Sequence, residues 1–298
     1  MSTTETESAH DYDHDIVIVG GGPAGCSAGV FTARYGLDTI IFDRGRSSIQ
    51  RCAHLENYLG FPAGIDIEMF YELMHEHAET AGCEIVPDLV DSVEQADDEE
   101  GFVVTPQEGE AVTARRVIAA TRYDGEYMRG LDDAAAMFEP HDGDEHFDRT
   151  YAASNGTTPV DRLYVASPSK AADRQAIMAA GYGARVGLQV IEDIHRDRGY
   201  PDAIVEHYDW LRRDTELEGE WGDRDRWREW IDGQFTDEHD LNEDQRVAIR
   251  EEYIDRRFDT YLSTDETAHR KERGQKALLK HIDDGLILDA ARDIEADR

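Results

Sequence analysis

Lysine is the residue this chain most conspicuously lacks: only Lys170, Lys271, Lys276 and Lys280 occur among its 298 residues. Arginine therefore supplies nearly all of the 31 basic side chains, against 66 Asp and Glu and a formal net charge of −35. A surface this acidic repels phosphate backbones and anionic headgroups, which argues against nucleic acid and membrane as partners. Cysteine is scarce as well. Cys26, Cys52 and Cys83 are odd in number and form no CxxC pair, so a disulfide framework is excluded and a reducing, cytoplasmic setting is expected. No apolar run approaches the length of a membrane span. The polar, acidic residues 1–15 lack the apolar core of a signal peptide.

What is present is concentrated between residues 14 and 43. Ile16-Val17-Ile18-Val19 is continuous and β-branched, as suits a strand buried on both faces of a parallel sheet. Gly20, Gly22 and Gly25 follow in GxGxxG spacing. The first permits a tight turn, the second lets backbone N–H groups approach a pyrophosphate, and the third lets a helix pack close to the strand. Residues 38–42 read as the next strand, and Asp43 sits where an acid accepts hydrogen bonds from a ribose. Glycine spacing alone is common to many turns. Strand, glycines, helix, strand and acid in this order point to a dinucleotide-binding βαβ unit.

The length accommodates two domains. Residues 1–13 read as a disordered acidic tail. An amphipathic helix is expected over 66–81, strands over 84–86, 89–93, 101–105, 111–120 and 162–167, and a long helix over about 173–198. Residues 122–159 read as mostly loop. From Tyr200 onward no convincing strand occurs, and Trp210, Trp221, Trp227 and Trp230 punctuate charged helical stretches as core and interface residues. Ser263 and Glu266 form a capping-box pair opening a further helix.

Several segments together resemble the thioredoxin reductase family of flavoproteins. Gly20-Gly21-Gly22-Pro23-Ala24-Gly25 is similar to its pyrophosphate loop, and Leu55-Glu56-Asn57-Tyr58-Leu59-Gly60-Phe61-Pro62 to its IENYPGFP stretch. Ala119-Ala120-Thr121 stands where the family has a strand ending in ATG. Leu163-Tyr164-Val165-Ala166, Asp173-Arg174-Gln175-Ala176 and the run from Ala179 to Ala184 resemble the closing flavin motif. The resemblance covers about residues 14–125 and 150–195. It implies an α/β fold: an FAD-type Rossmann domain of three-layer ββα character over 14–199, with an α-helical C-terminal domain over 200–298. It also implies FAD as cofactor, with Gly20, Gly22, Pro23, Ala24, Gly25, Asp43, Asn57, Thr121, Ser167, Arg174, Gln175 and Ala176 as its binding residues. The helix opened by Arg174-Gln175 would point its positive end at the flavin.

The departures from the family define the expected function. Residues 122–160 form a polar loop in place of the NADPH domain, with no second glycine loop after a strand. With the CxxC pair also missing, thioredoxin reduction by the family route is not expected. Ser167-Pro168 replaces the family's Gly-Asp, and Arg122 replaces the glycine of ATG. The expectation is an FAD-dependent oxidoreductase whose electron donor and acceptor are unknown. The alternative is a non-catalytic family member acting as a nucleotide- or protein-binding module. Ser167-Pro168 and Arg122 favour the alternative; the intact glycine loop and Arg174-Gln175 favour the enzyme. A homodimer stays open as the assembly. The composition also resembles that of proteins from halophilic organisms, which assigns the acidity to the solvent rather than to a site. Cys52 reads as an ordinary loop residue before a redox thiol, although it lies near the family's flavin position. His141, Asp142, Asp144, Glu145 and His146 read as a solvated acidic loop before a metal site. His75 and His77 are two apart on a helix and do not face each other.

Overall fold

The structure, a computed structural model, describes residues 12–97, 100–122, 125–141, 143–170, 174–236 and 241–298. The acidic tail before Tyr12, Asp142 of the histidine-acid cluster, and Asp173 of the closing motif lie outside the described residues. Tyr12 and Asp13, expected within the tail, are anchored: the Arg115 guanidinium sits 5.0 Å over the Tyr12 ring, and Asp13 accepts from the Thr113 amide at 2.8 Å.

The chain opens as its sequence dictates, with β1 (His14–Val19), α1 (Pro23–Tyr35) and β2 (Thr39–Phe42). A short antiparallel pair, β3 (His54–Leu55) and β4 (Ile65–Asp66), leads into α2 (Ile67–Ala81). Asp66 caps α2 by accepting from the Glu68 and Met69 amides at 2.9 and 3.1 Å. Gly82 ends the helix in the left-handed conformation, at φ +116°. Then come β5 (Glu84–Val86), β6 (Val90–Gln95), β7 (Phe102–Pro106) and β8 (Val112–Ala120). After α3 (Ala134–Met137), β9 (Phe138–His141) and β10 (Asp144–Phe147), β11 (Leu163–Ser167) returns to the sheet, and α4 (Ala176–Asp197) follows.

Seven strands make one sheet. β5, β2, β1 and β8 lie side by side in parallel, with Val17 opposite both Ile40 and Val117. The length of β8 lets its free edge serve two partners. Residues Val112 to Ala114 pair antiparallel with β7, which carries β6, while Val117 to Ala120 pair in parallel with β11. This is the ββα layering that the resemblance implies. Against one face of the sheet lies a core of Val17, Val19, Phe102, Val104, Val117, Met128 and Met137.

α1 packs on the sheet: a Cβ on Gly29 would meet Ile41 Cδ1 at 2.8 Å. α4 crosses α1 closely, and a Cβ on Gly183 would lie 2.0 Å from the Ala24 carbonyl oxygen. Residues 122–159 depart from the expected loop, because β9 and β10 form an antiparallel hairpin. The pairing is anchored by Phe138 and Phe147, both buried, whose rings meet edge to face at 5.9 Å. Four-residue strands with three exposed positions each leave no alternation for a sequence pattern to reveal.

The chain divides into two compact units, Met1–Ile191 and Glu192–Arg298, a boundary within α4 rather than at residue 200. The second unit contains β12 (Arg212–Arg213), α5 (Arg224–Asp232), α6 (Glu243–Asp259), β13 (Tyr261–Leu262), α7 (Thr264–Leu279) and α8 (Asp284–Ala296). Its strands correct the expectation of none: β12 and β13 make a two-residue parallel ladder, too short to carry a period. Trp227, Ile231, Ile249 and Ile254 form its core, with Trp230 and Tyr253 packed against them. Trp210 and Trp221 stay exposed. Ser263 accepts from the Glu266 amide, as the capping box requires.

Ion pairs such as Arg228–Glu251 and Arg250–Asp232 lace this unit, but arginine cannot neutralise a −35 chain. The Debye length falls from ~30 Å at 0.01 M salt to ~3 Å at 1 M, so self-repulsion is unscreened only in dilute buffer. The melting temperature is therefore expected to climb from dilute buffer to molar salt. A flat or falling series in thermal melts would contradict this.

Candidate functional site

The glycine turn between β1 and α1 opens into a cavity of ≈ 310 Å³. Gly20 adopts φ +115°, and a Cβ there would strike the Ala120 carbonyl oxygen at 2.5 Å. Gly22 is the N-cap of α1 and makes no side-chain cap, and the first turn of α1 carries no acid. The amides at this helix start thus face the cavity with positive character and no side-chain competitor, an arrangement suited to a pyrophosphate. Gly25 stands apart from the lining and packs the helix on the turn: its Cβ would come within 1.8 Å of the Gly20 carbonyl oxygen.

Gly20, Gly22, Pro23, Ala24, Asp43, Thr121, Ser167, Arg174, Gln175 and Ala176 all line this one cavity. They come from the β1–α1 turn, the ends of β2, β8 and β11, and the start of α4. Thr121 and Ser167 are tied together by the Thr121 amide, which donates to the Ser167 carbonyl at 3.0 Å. Asn57 does not reach the cavity. Its Nδ2 donates instead to Gln175 Oε1 at 2.8 Å, holding a lining residue from behind.

Asp43 is the most constrained member. It is buried, and its Oδ2 accepts from the Tyr71 hydroxyl and lies 3.2 Å from His75 Nε2. Its Oδ1 accepts from the Gly45 amide at 3.1 Å. His75 Nε2 also lies 3.1 Å from the Gly21 carbonyl oxygen. Burial alone would raise the Asp43 pKa, but hydrogen bonds from His75, Tyr71 and Gly45 outweigh it and hold the carboxyl below its usual value. Burial likewise opposes protonation of His75, yet Asp43 and the Gly21 carbonyl carry its pKa upward. A ribose hydroxyl arriving at Asp43 meets an acceptor already holding three donors. Tyr71 and His75 went unread in the sequence as site residues, although their i, i+4 spacing on α2 places them on one face.

The signs of the two shifts set a pH window. Asp43, lowered from 3.8, stabilises the fold above that value and loses the contribution as pH falls through its native pKa. His75, raised from 6.5, stabilises fully below 6.5 and loses the contribution as pH rises through its raised pKa. The pair contributes most between 3.8 and 6.5. The gap in melting temperature between the natural protein and His75→Gln should thus be wide at pH 5.5 and narrow at pH 9. A gap independent of pH would overturn this reading.

Arg44, Arg46, Arg51, Arg122 and Arg174 also line the cavity, against only Asp43 and Asp88. The site thereby inverts the charge of the molecule around it. Arg122 adopts a left-handed backbone, at φ 69°, and its guanidinium donates to Ser48. Cys52 lines the cavity and is exposed. Cys26 and Cys83 are buried, and burial pushes the Cys83 thiol up to about 12. Among the described residues no group of His, Cys, Asp and Glu could hold a metal ion. Nor, among those residues, is any helix long and apolar enough to cross a membrane.

Comparison with known proteins bears on this geometry. The family model for pyridine nucleotide-disulphide oxidoreductases matches residues 14–165, just over half of the chain. The chain belongs to the pyridine nucleotide-disulphide oxidoreductase family. The bifunctional thioredoxin reductase/thioredoxin of Mycobacterium leprae is 32% identical over 127 residues, which are 42% of this chain and 27% of that protein. The thioredoxin reductase of Streptomyces clavuligerus is 33% identical over 110 residues, 36% of this chain and 34% of that one. The match thus spans about a third of the length of these curated relatives. Among solved structures, the putative thioredoxin reductase TrxB from Bacillus anthracis superposes with a TM-score of 0.51 at 12% identity, over 62% of this chain and 99% of that one. That superposition speaks to the fold alone. Members of the family typically bind FAD.

Proposed function

We propose that this chain is an FAD-binding oxidoreductase that takes its electrons by a route other than the NADPH domain and disulfide of thioredoxin reductases. The observation carrying the reading is the uncapped N-terminus of α1, set in a cavity that also collects five arginines. The cradle fits the group on steric grounds: its Gly20–Ala24 wall is bare of side chains beyond Cβ except for Pro23. The α1 amides and neighbouring arginines would hold the pyrophosphate, and Asp43 the ribose edge. Ser167 would offer a hydroxyl toward the ribityl chain. Arg174, Gln175 and Ala176 would bring the positive start of α4 to the ring system. FAD, when bound, supplies a redox centre that the side chains of this chain do not.

Arg122 supports a second reading, a nucleotide-binding module without turnover, because its side chain takes part of the wall where glycine would leave space. Electron entry separates the two. The interval between β8 and β11 contains no GxGxxG run, and its charges are mainly Asp and Glu. Anaerobic mixing of the FAD-loaded protein with NADPH or NADH is expected to leave the flavin oxidised on the time scale of turnover, whereas dithionite bleaches it. Rapid bleaching by either nucleotide at micromolar concentration would refute the proposed route. Protein that takes up no FAD would favour the second reading.

A further inference from the structure

Charge is unevenly spread along the wall of the α1 cavity. Its two acids, Asp43 and Asp88, follow β2 and β5, and the amides of both donate to the Val86 carbonyl at 2.9 Å. Their carboxylates are already committed. Asp43 holds Tyr71, His75 and Gly45, while Asp88 accepts from the Leu89 amide at 2.7 Å and from the Glu108 and Gly109 amides at 3.1 and 3.0 Å. Among the described residues neither acid pairs with an arginine of the wall.

The wall contributed by α4 is different. Ile49, in the 3₁₀ turn Ser48–Arg51, and Leu55 share one apolar cluster with Ala176 at the start of α4. Asn57 Nδ2 ties the same segment to Gln175 Oε1 at 2.8 Å. Arg51 is therefore held on one side of this junction and Arg174 on the other, and both line the cavity. Both are exposed, and among the described residues neither makes an ion pair. In the same acidic chain Arg129, Arg228 and Arg250 hold carboxylates at 2.5 to 2.8 Å. With 66 acids against 31 bases, arginines left without a carboxylate are open to a ligand.

Charge also sets the class of that ligand. Five arginines against two aspartates leave the wall with three positive charges in excess, and the pyrophosphate of a dinucleotide offsets two of them. Arg44, Arg46 and Arg122 are placed for that group. Each is next in sequence to Asp43, Ser47 or Thr121, the residues that a Cβ on Gly21, Gly22 or Gly20 would meet. One positive charge then remains at the α4 wall, enough for a single carboxylate, which a guanidinium fork binds through two parallel N–H donors.

We propose that Arg51 and Arg174 bind the carboxylate of a small organic acid, the substrate that shares the cavity with the cofactor. The proposal rests on the assignment of the cavity to FAD.

The test titrates butyrate, and its uncharged isostere butyramide, into the full-length protein saturated with FAD in molar potassium chloride. Chloride at that concentration fills a site that reads charge alone, so saturable binding reports the fork. Butyrate should shift the flavin absorbance and give a saturable heat in calorimetry; butyramide should do neither. Arg51→Gln and Arg174→Gln should each weaken butyrate binding at least tenfold. Arg185→Gln removes a charge from α4 outside the cavity lining and should change the affinity by less than about twofold, because molar salt screens a charge that does not touch the ligand. FAD-loaded protein whose spectrum and heats ignore butyrate overturns the proposal and leaves the cofactor assignment standing. So does butyramide bound as tightly as butyrate, or a butyrate affinity indifferent to both glutamines. Protein that takes up no FAD refutes the cofactor assignment, and this proposal with it.

Discussion

Gly183→Ala is expected to cost about 3 kcal/mol, the upper end of what overpacking a core contact costs, and to lower the melting temperature by roughly 10 °C. The added Cβ would sit 2.0 Å from the Ala24 carbonyl oxygen and 2.7 Å from its carbonyl carbon. Both are backbone atoms, so no rotamer change relieves the clash, and α4 must move off α1 by more than an ångström to reach ordinary contact. Ala24 lies in the first turn of α1 and lines the cavity, so the same shift disturbs the proposed pyrophosphate cradle. Gly181→Ala provides the control on the same helix. Nothing lies within 4 Å of a Cβ there, so the gain in helix propensity should leave the protein unchanged or up to about 1 kcal/mol more stable. Thermal melts of the two variants in molar salt decide it: equal effects would show that the α1–α4 contact is not what positions these helices.

Gly22→Val is expected to weaken FAD binding about a hundredfold, equivalent to ~2.7 kcal/mol, with little change in the melting temperature of the protein without ligand. A Cβ at this position points toward Ser47 Oγ, 2.9 Å away, and the hydroxyl can swing aside, so the fold tolerates the substitution. The ligand cannot accommodate it as easily. Gly22 caps α1 on the cavity wall, and two methyl groups there hold a phosphate away from the helix amides. Quenching of flavin fluorescence on titration into protein measures the ratio directly. A ratio near one would place the phosphates elsewhere than at the start of α1.

How far the sequence disclosed this molecule depends on whether the causes were local. β1 announces itself because a strand buried on both faces must be apolar throughout, and the glycines because the turn, the cradle and the helix contact each exclude a Cβ. Gly21 belongs with them for a reason the spacing rule omits: its Cβ would meet Asp43 Cβ at 2.5 Å. The occupation of Asp43 was less legible. Tyr71 and His75 lie 28 and 32 positions further on, and only the docking of α2 against α1 turns a helical stripe into two donors aimed at one carboxylate. The arginines of the cavity are scattered over the turn after β2, the end of β8 and the start of α4, so no run of basic residues betrays them. Arg122 shows the opposite case. The resemblance implies a glycine at this position, while the backbone takes the left-handed φ of 69° with arginine in place and turns its side chain toward Ser48.

The flavin content of the purified protein tests the central claim most directly. Chain prepared in molar salt, saturated with FAD, freed of excess ligand and then denatured should release about one FAD per chain into the supernatant, as one glycine cradle implies. The same treatment with NAD should release little. Supernatant without flavin from folded protein would contradict the assignment of the α1 cavity to FAD.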